Sequence, residues 1–172
     1  MPFAGKQAEC KNLKIEMSFK NMNLIVFDLE WNIGYQPKTF DYHGTEQTLR
    51  GEIIQIGAVK IDANAHVLDT FRINLKPRIF KKLQHHIAKV TGMTQNDLDM
   101  GVPIREGLQQ FVRWAGPDAA FAEWGMDDVP VLKQNLYLCK LDESWPNRWY
   151  DLQRVFLSQF PRKEGEGMTL ES

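Results

Sequence analysis

Two carboxylates separated by one residue, Asp28 and Glu30, directly follow the apolar run at residues 24–27. Side chains two residues apart on a β-strand point to the same face, so these carboxylates converge while Leu29 points away. Carboxylates this close repel each other unless a cation lies between them, and Mg²⁺ and Mn²⁺ prefer oxygen ligands. The spacing therefore indicates a divalent-cation site; the alternative is two solvated acids at the end of a strand.

A second pair of acids, Asp127 and Asp128, follows a short apolar segment and begins an amphipathic one. An acid at a helix N-terminus usually caps amides and complements the helix dipole, which accounts for one of the two. The other can join Asp28 and Glu30 if the apolar segment is a strand beside the first, because the carboxyl ends of neighbouring parallel strands share an edge. Three carboxylates can hold two cations about 3.5–4 Å apart, an arrangement suited to in-line attack of water on a phosphodiester.

The segments around the first pair of acids predict the elements that position them. Residues 24–27 lack polar alternation, which is typical of a central strand buried on both faces. Residues 52–61 and 66–75 are rich in β-branched and aromatic side chains, and they predict an antiparallel hairpin beside that strand. The polar stretch at residues 33–51 contains glycine and proline and is predicted to be an unusually long loop, a kind of segment that often binds ligands.

Helical spacing begins after the hairpin. Residues 80–90 and 103–115 carry apolar side chains three and four positions apart, and each segment ends near a glycine. The remaining predicted elements are a short buried strand, a helix, a strand end and a last helix, at residues 118–123, 128–139, 149–152 and 153–160. The order β-β-β-α-α-β-α-β-α predicts one α/β domain with a mixed five-stranded sheet, in which a meander of strands 1–3 and two parallel strands are flanked by helices.

Composition restricts the classes of function. The 172-residue chain is 43% hydrophobic with a formal net charge of −1, which suits one globular domain and argues against coating nucleic acid by bulk charge. Its unbroken apolar runs reach four residues, whereas a transmembrane helix needs about 20. Cys10 and Cys139 lack metal-finger spacing and residues 1–22 lack a secretory apolar core, so we expect a cytoplasmic protein with a polar N-terminal arm.

Four sequence blocks occur in order along the chain: residues 28–32 (DLEWN), 51–59 (GEIIQIGAV), 90–94 (VTGMT) and 124–132 (WGMDDVPVL). Together they resemble the DEDD-type (DEDDh-like) 3′–5′ exonucleases, most closely a branch of small RNA-directed members. The resemblance covers about residues 23–172 and implies a ribonuclease H-like fold. It also implies hydrolysis at the 3′ ends of single-stranded nucleic acid, with RNA favoured and DNA possible, assisted by two Mg²⁺ or Mn²⁺ ions.

The resemblance assigns roles to the acids. It implies that Asp28 and Glu30 are first-motif metal ligands and Asp128 the second-motif ligand, which leaves Asp127 as the helix cap. Relatives carry a third motif near their C-terminus, with a histidine as general base and a ligating aspartate five residues later. The sequence given ends before such a motif, so we expect an exonuclease domain at residues 23–172 that lacks the third-motif helix. A catalytically silent domain of the same fold, binding nucleic acid or protein, is the alternative.

The resemblance also implies contacts with substrate at five positions: Leu29, Trp31, Asn32, Met93 and Trp124. Trp31 either stacks on a base, an interaction of about 1–3 kcal/mol, or belongs to the core. Met93 either contacts the terminal nucleotide, as an apolar residue does in relatives, or packs after a helix end, and the same holds for Trp124. Position 32 is often threonine in relatives. Four basic residues form either a phosphate-binding face or a solvated one: Arg78, Lys81, Lys82 and Lys89.

Overall fold

A mixed sheet with helices around it forms the described part of the computed structural model, residues 24–160; the predicted N-terminal arm and residues 161–172 lie outside it. The strands are β1 Leu24–Asn32, β2 Thr39–Tyr42, β3 Thr45–Thr48, β4 Glu52–Ile61, β5 Val67–Lys76, β6 Val102–Pro103, β7 Ala120–Glu123 and β8 Trp149–Asp151. The helices are α1 His85–Thr91, α2 Gln95–Asp99, α3 Ile104–Ala115, α4 Asp128–Leu138 and α5 Leu152–Gln159. Between residues 24 and 160, no helix combines the length and the apolar character needed to cross a membrane.

The main sheet has the strand order β6-β5-β4-β1-β7-β8. The strands β1, β4 and β5 form the antiparallel meander, and β7 and β8 continue the sheet in parallel from the other side of β1. The predicted α/β class and mixed sheet are therefore confirmed. The predicted count of five strands is wrong by one, because the two-residue strand β6 pairs with the edge of β5 and is too short to have a periodic signature.

Residues 24–30 of β1 are buried on one face only, which corrects the prediction of a strand buried on both faces. Ile25, Phe27 and Leu29 lie in the main core, whereas Asp28 is exposed and Glu30 is half-buried on the opposite face. The side-chain alternation therefore places both carboxylates on the open face of the central strand.

A register shift between β1 and β4 affects the same region. Glu30 pairs with Gln55 and Trp31 pairs with Ile53, so β4 contains one extra residue, Ile54. The side chain of Ile53 belongs to the main core, whereas Ile54 lies in a second apolar cluster. This bulge places two consecutive β4 side chains, those of Ile54 and Gln55, on the face of the sheet that carries Glu30.

The long loop predicted at residues 33–51 is wrong, because this stretch contains the hairpin β2–β3. Its two turn residues, His43 and Gly44, have φ values of 53° and 79°, a combination typical of two-residue type I′ turns. Phe40 and Tyr42 alternate on β2, and their rings lie 6.2 and 4.7 Å from the ring of Tyr137 on α4. Packing on a distant helix thus stabilises strands whose own sequence is polar.

The main core lies between the sheet and the helices α3 and α4. Phe111 of α3, one of its largest fully buried side chains, has the ring centroids of Phe27, Phe71 and Phe121 within 5.4–6.4 Å. The second cluster joins Ile54 to the buried Leu98 of α2 across the other face of the sheet. One face of β4 thus supports the main core and the other supports the short helices.

Phe111→Ala is expected to lower the free energy of unfolding by about 3–5 kcal/mol, because it leaves a cavity among packed aromatic rings. The control Val90→Ala, at a position that is 82% exposed on α1, is expected to change it by less than about 0.5 kcal/mol. Urea unfolding measures both values. Equal effects of the two substitutions would contradict this description of the core.

Candidate active site

α4 is docked onto β1 at the point where two strands of the sheet separate. β1 and β7 pair in parallel only as far as Val26 and Ala122. Beyond that point, the backbone N–H of Leu29 donates to Oδ1 of Asp128, the first residue of α4, at 3.1 Å. Asp128, the predicted second-motif ligand, therefore lies next to residues of the predicted first motif.

The structure brings the three predicted ligands into one electrostatic group. Partial burial of its carboxyl group raises the pKa of Asp28, although the side chain is exposed, and burial together with the charge of Asp28 raises the pKa of Glu30. The Asp128 side chain is almost fully buried, with 7% exposure. Its burial first and the charge of Asp28 second raise its pKa to about 7, although the hydrogen bond from Leu29 lowers it.

Glu123, the last residue of β7, is a site residue that the sequence analysis missed. It is fully buried, and its Oε2 accepts hydrogen bonds from the backbone N–H groups of Asp128 at 2.7 Å and Val129 at 3.2 Å. Glu123 therefore caps α4 and fixes the backbone of the candidate ligand Asp128. The available signal was a carboxylate that closes an otherwise apolar run five residues before the helix begins.

The prediction that Asp127 caps α4 is wrong. Asp127 occupies the N-cap position, but its side chain makes no capping hydrogen bond. Its Oδ1 instead accepts from Nη1 of Arg50 at 3.1 Å in an exposed ion pair. The buried carboxylate of Glu123 accepts from the first amides of the helix instead.

One oxygen of Glu123 has no partner. Its Oε1 is buried without a hydrogen bond among the described residues. Burial is the main reason that the pKa of Glu123 is raised, with a smaller contribution from Asp151, its neighbour on β8. The negative charge of the capping carboxylate also contributes to raising the pKa of Asp128.

The predicted substrate-contacting residues differ in their accessibility. Leu29 and Met93 are buried in the two apolar clusters, and Asn32 is fully buried with both of its polar atoms bonded to backbone atoms of residues 80–84. Trp31 is half-buried against the main core. Trp124 is also half-buried, with its ring centroid 5.8 Å from that of Phe156. Only the two tryptophans thus present partly exposed side chains.

Asp28, Glu30 and Asp128 suit a hard divalent cation in their chemistry. All three offer carboxylate oxygens, and a cation would relieve the burial and mutual repulsion that raise their pKa values. Within residues 24–160, however, no three His, Cys, Asp or Glu side chains converge closely enough to hold a metal ion. The donor types therefore suit a cation, although the three carboxylates do not form a closed ligand group in this structure.

Asp128→Asn is expected to stabilise the metal-free protein at high pH. The folded-state pKa of about 7 lies above the ordinary value of 3.8, so the free energy of unfolding falls as the pH rises through this interval. Asparagine keeps an acceptor for Leu29 and cannot ionise. Urea unfolding in EDTA should show the variant more stable by on the order of 2 kcal/mol at pH 8 and similar to the parent below pH 4.

Asp97→Asn provides a control of opposite sign. Hydrogen bonds from the Thr94 side chain and backbone lower the pKa of Asp97, so its contribution to stability is present above its ordinary pKa and is lost in acid. Its substitution should therefore reduce stability at neutral pH. A parallel pH profile for the two variants would refute the assignment of a raised pKa to Asp128.

Glu123→Ala is expected to increase amide hydrogen exchange at Asp128 and Val129 roughly tenfold, the scale of losing a helix cap. Glu123→Gln keeps a carbonyl acceptor and should restore most of the protection. Asp127→Ala is the matched control, since Asp127 makes no capping bond. Loss of protection in the Asp127 variant instead of the Glu123 variant would show that the cap is assigned to the wrong acid.

Comparison with known proteins relates this chain to nucleases. The exonuclease family RNase_T matches residues 25–171. A human relative, ERI1 exoribonuclease 2, is 27% identical over an alignment 176 positions long, which covers 85% of this chain and 23% of that protein. The chain thus spans less than a quarter of the human relative.

Solved structures show the same fold. Cell-death related nuclease 4 (CRN-4) matches with a TM-score of 0.68 and 19% identity, over 86% of this chain and 51% of that one. A structure described as 3′-end-specific recognition of histone mRNA stem-loop by 3′-exonuclease matches with a TM-score of 0.64 and 16% identity, over 80% of this chain and 48% of that one. Exonuclease I of E. coli, in complex with a dT13 oligonucleotide, gives 0.62. The expected ribonuclease H-like fold is confirmed, and the chain belongs to the RNase_T exonuclease family.

Proposed function

We propose that residues 23–172 form a metal-dependent 3′–5′ exonuclease domain that hydrolyses phosphodiester bonds at the 3′ ends of single-stranded nucleic acid. The observation that carries this proposal is the docking of Asp128 on the Leu29 amide, beside the open face that bears Asp28 and Glu30. It joins carboxylates from two elements into one charged group within an exonuclease fold.

In this proposal Asp28, Glu30 and Asp128 hold one or two Mg²⁺ or Mn²⁺ ions. Such ions, when bound, activate water and stabilise the leaving oxygen of an in-line displacement. β1 holds the first two carboxylates on a central strand, and Glu123 fixes the helix end that carries the third. Because Asp128 binds a cation as a carboxylate, protons compete with the cation near its pKa of about 7.

The substrate class is proposed from the chemistry of the site and from the relatives. One structural neighbour is described with a histone mRNA stem-loop and another with a dT13 oligonucleotide, so both RNA and DNA are candidates. The human relative is named an exoribonuclease, which favours RNA. Trp31 and Trp124 are the partly exposed aromatic side chains next to the candidate ligands, and we propose that they stack on terminal bases.

A catalytically silent binding domain of the same fold is the second candidate. It is favoured by the finding that no three potential ligands converge among residues 24–160. A cytoplasmic setting for either function is proposed from the cysteines, of which Cys139 is buried and free.

Incubation of 3′-extended single-stranded RNA and DNA with the protein and Mn²⁺ or Mg²⁺ tests the two candidates. The exonuclease proposal expects ladders that shorten from the 3′ end. Asp28→Asn should reduce the rate by about 100-fold or more, the scale of losing a charge-stabilising group in an active site.

Asp118→Asn is the matched control, because Asp118 is an exposed acid preceding β7, at the opposite end of that strand from Glu123. Its rate should stay within about twofold of the parent. Absence of ladders with either metal, or equal rates in the Asp28 and Asp118 variants, would leave the binding domain as the function.

A further inference from the structure

Residues 78–84, in the connection between β5 and α1, are held by side chains rather than by secondary structure. The backbone N–H groups of Arg78, Ile79 and Phe80 donate to the buried carboxylate of Glu52 at 2.7, 2.7 and 2.8 Å. This stretch was predicted to begin a helix at residue 80, and that prediction is wrong because α1 begins at His85. Amides bonded to Glu52 are not available for a helical pattern.

Two further side chains complete the attachment. Asn32 Nδ2 donates to the carbonyl oxygens of Phe80 and Lys82 at 2.8 Å each, and its Oδ1 accepts from the N–H of Gln84 at 3.1 Å. Gln95 donates to the carbonyl of Lys81 at 2.9 Å, and its Oε1 accepts from the backbone N–H of Leu83 at 2.8 Å. Each residue from 78 to 84 thus contributes a backbone atom to one of three side chains, which fixes its conformation.

The anchor residues place this segment beside the candidate active site. Asn32 follows Glu30 by two positions on β1, so the two side chains lie on the same face of the strand. Glu52 is the β4 partner of Asn32, and α1, which follows the segment, contacts β1. The fixed segment therefore lies at the end of the strand that carries Asp28.

The segment presents three cationic side chains, of which Arg78 also donates from Nη2 to the carbonyl oxygen of Leu138 at 3.0 Å. Arg78, Lys81 and Lys82 are exposed, and residues 77–90 contain no acid. The ion pairs found among residues 24–160 involve His43, Arg50 and His66, so neither lysine is paired with a carboxylate there. Free ammonium groups on a fixed backbone beside a carboxylate site suit an anion that approaches the site from outside.

We propose that residues 78–82 bind the phosphate backbone of the single strand whose 3′ end enters the carboxylate site. This inference rests on the proposed function. A chain with a net charge of −1 lacks bulk attraction for a polyanion, so a local group of cations must supply it. Because the backbone is already ordered, less conformational entropy is lost on binding than with a flexible loop.

The double substitution Lys81→Ala with Lys82→Ala tests the proposal. A labelled oligonucleotide of about 12 residues is titrated in EDTA, which prevents hydrolysis, at several salt concentrations. We expect affinity to fall about tenfold at low salt, and the slope of log affinity against log salt to decrease by roughly 1.4, or 0.7 for each lost phosphate contact on a single strand. With Mn²⁺, KM for this oligonucleotide should rise while kcat for a dinucleotide stays unchanged.

The control Arg105→Ala with Arg113→Ala removes two exposed cations from α3, which packs on the core face of the sheet. It should leave affinity and salt slope unchanged. Gln95→Ala removes two anchoring bonds without changing charge, so it should weaken binding about two- to threefold at an unaltered slope.

The outcomes separate this inference from the proposed function. Binding and hydrolysis by the parent with no effect of the lysine substitutions would overturn the inference and leave the exonuclease proposal standing. Lysine-dependent binding without hydrolysis would support the inference while rejecting the exonuclease activity. An equal loss in the α3 control would also overturn the inference, because it would show that only total charge matters.

Discussion

A hydrogen bond between the Leu29 amide and the Asp128 carboxylate joins two parts of the chain that lie 99 residues apart. It lies beyond the last paired residues of β1 and β7, and it ties the first residue of α4 to the backbone of β1. Without it, the acids at the end of β1 and the acid at the start of α4 would be separate features of the surface. The charge of the candidate site therefore depends on this one contact between a strand and a helix.

Bringing acids together in this way raises the free energy of the metal-free protein, because burial and repulsion both favour the protonated forms. Polar contacts further along α4 hold the helix in place against this cost. Asn135 accepts from the Ile53 amide and donates to the Gly51 carbonyl, while Gln134 accepts from the Arg50 amide. α4 is thus attached to β1 at its beginning and to the start of β4 along its length.

Periodicity and spacing predicted the features that local sequence controls. The meander and the two parallel strands follow from short runs of apolar, β-branched or aromatic side chains. The amphipathic α3 follows from helical spacing, and the shared face of Asp28 and Glu30 follows from strand geometry. The hairpin β2–β3 and the strand β6 were not predicted, because each is short and is stabilised by partners distant in sequence. The roles of Glu123 and of residues 78–84 were not predicted for the same reason. They depend on buried hydrogen bonds to other elements and not on any repeating pattern.

The bulge at Ile54 determines the face of the sheet on which the preceding residues of β4 lie. With one extra residue in β4, Glu52 shares the side of Asn32, while Ile53 remains in the main core. In a strand of regular alternation, moving by one residue exchanges the two faces, and Glu52 would point into the core, away from the amides that it now binds. The extra residue in β4 therefore decides whether the cationic segment and the carboxylate group lie on the same side of the sheet.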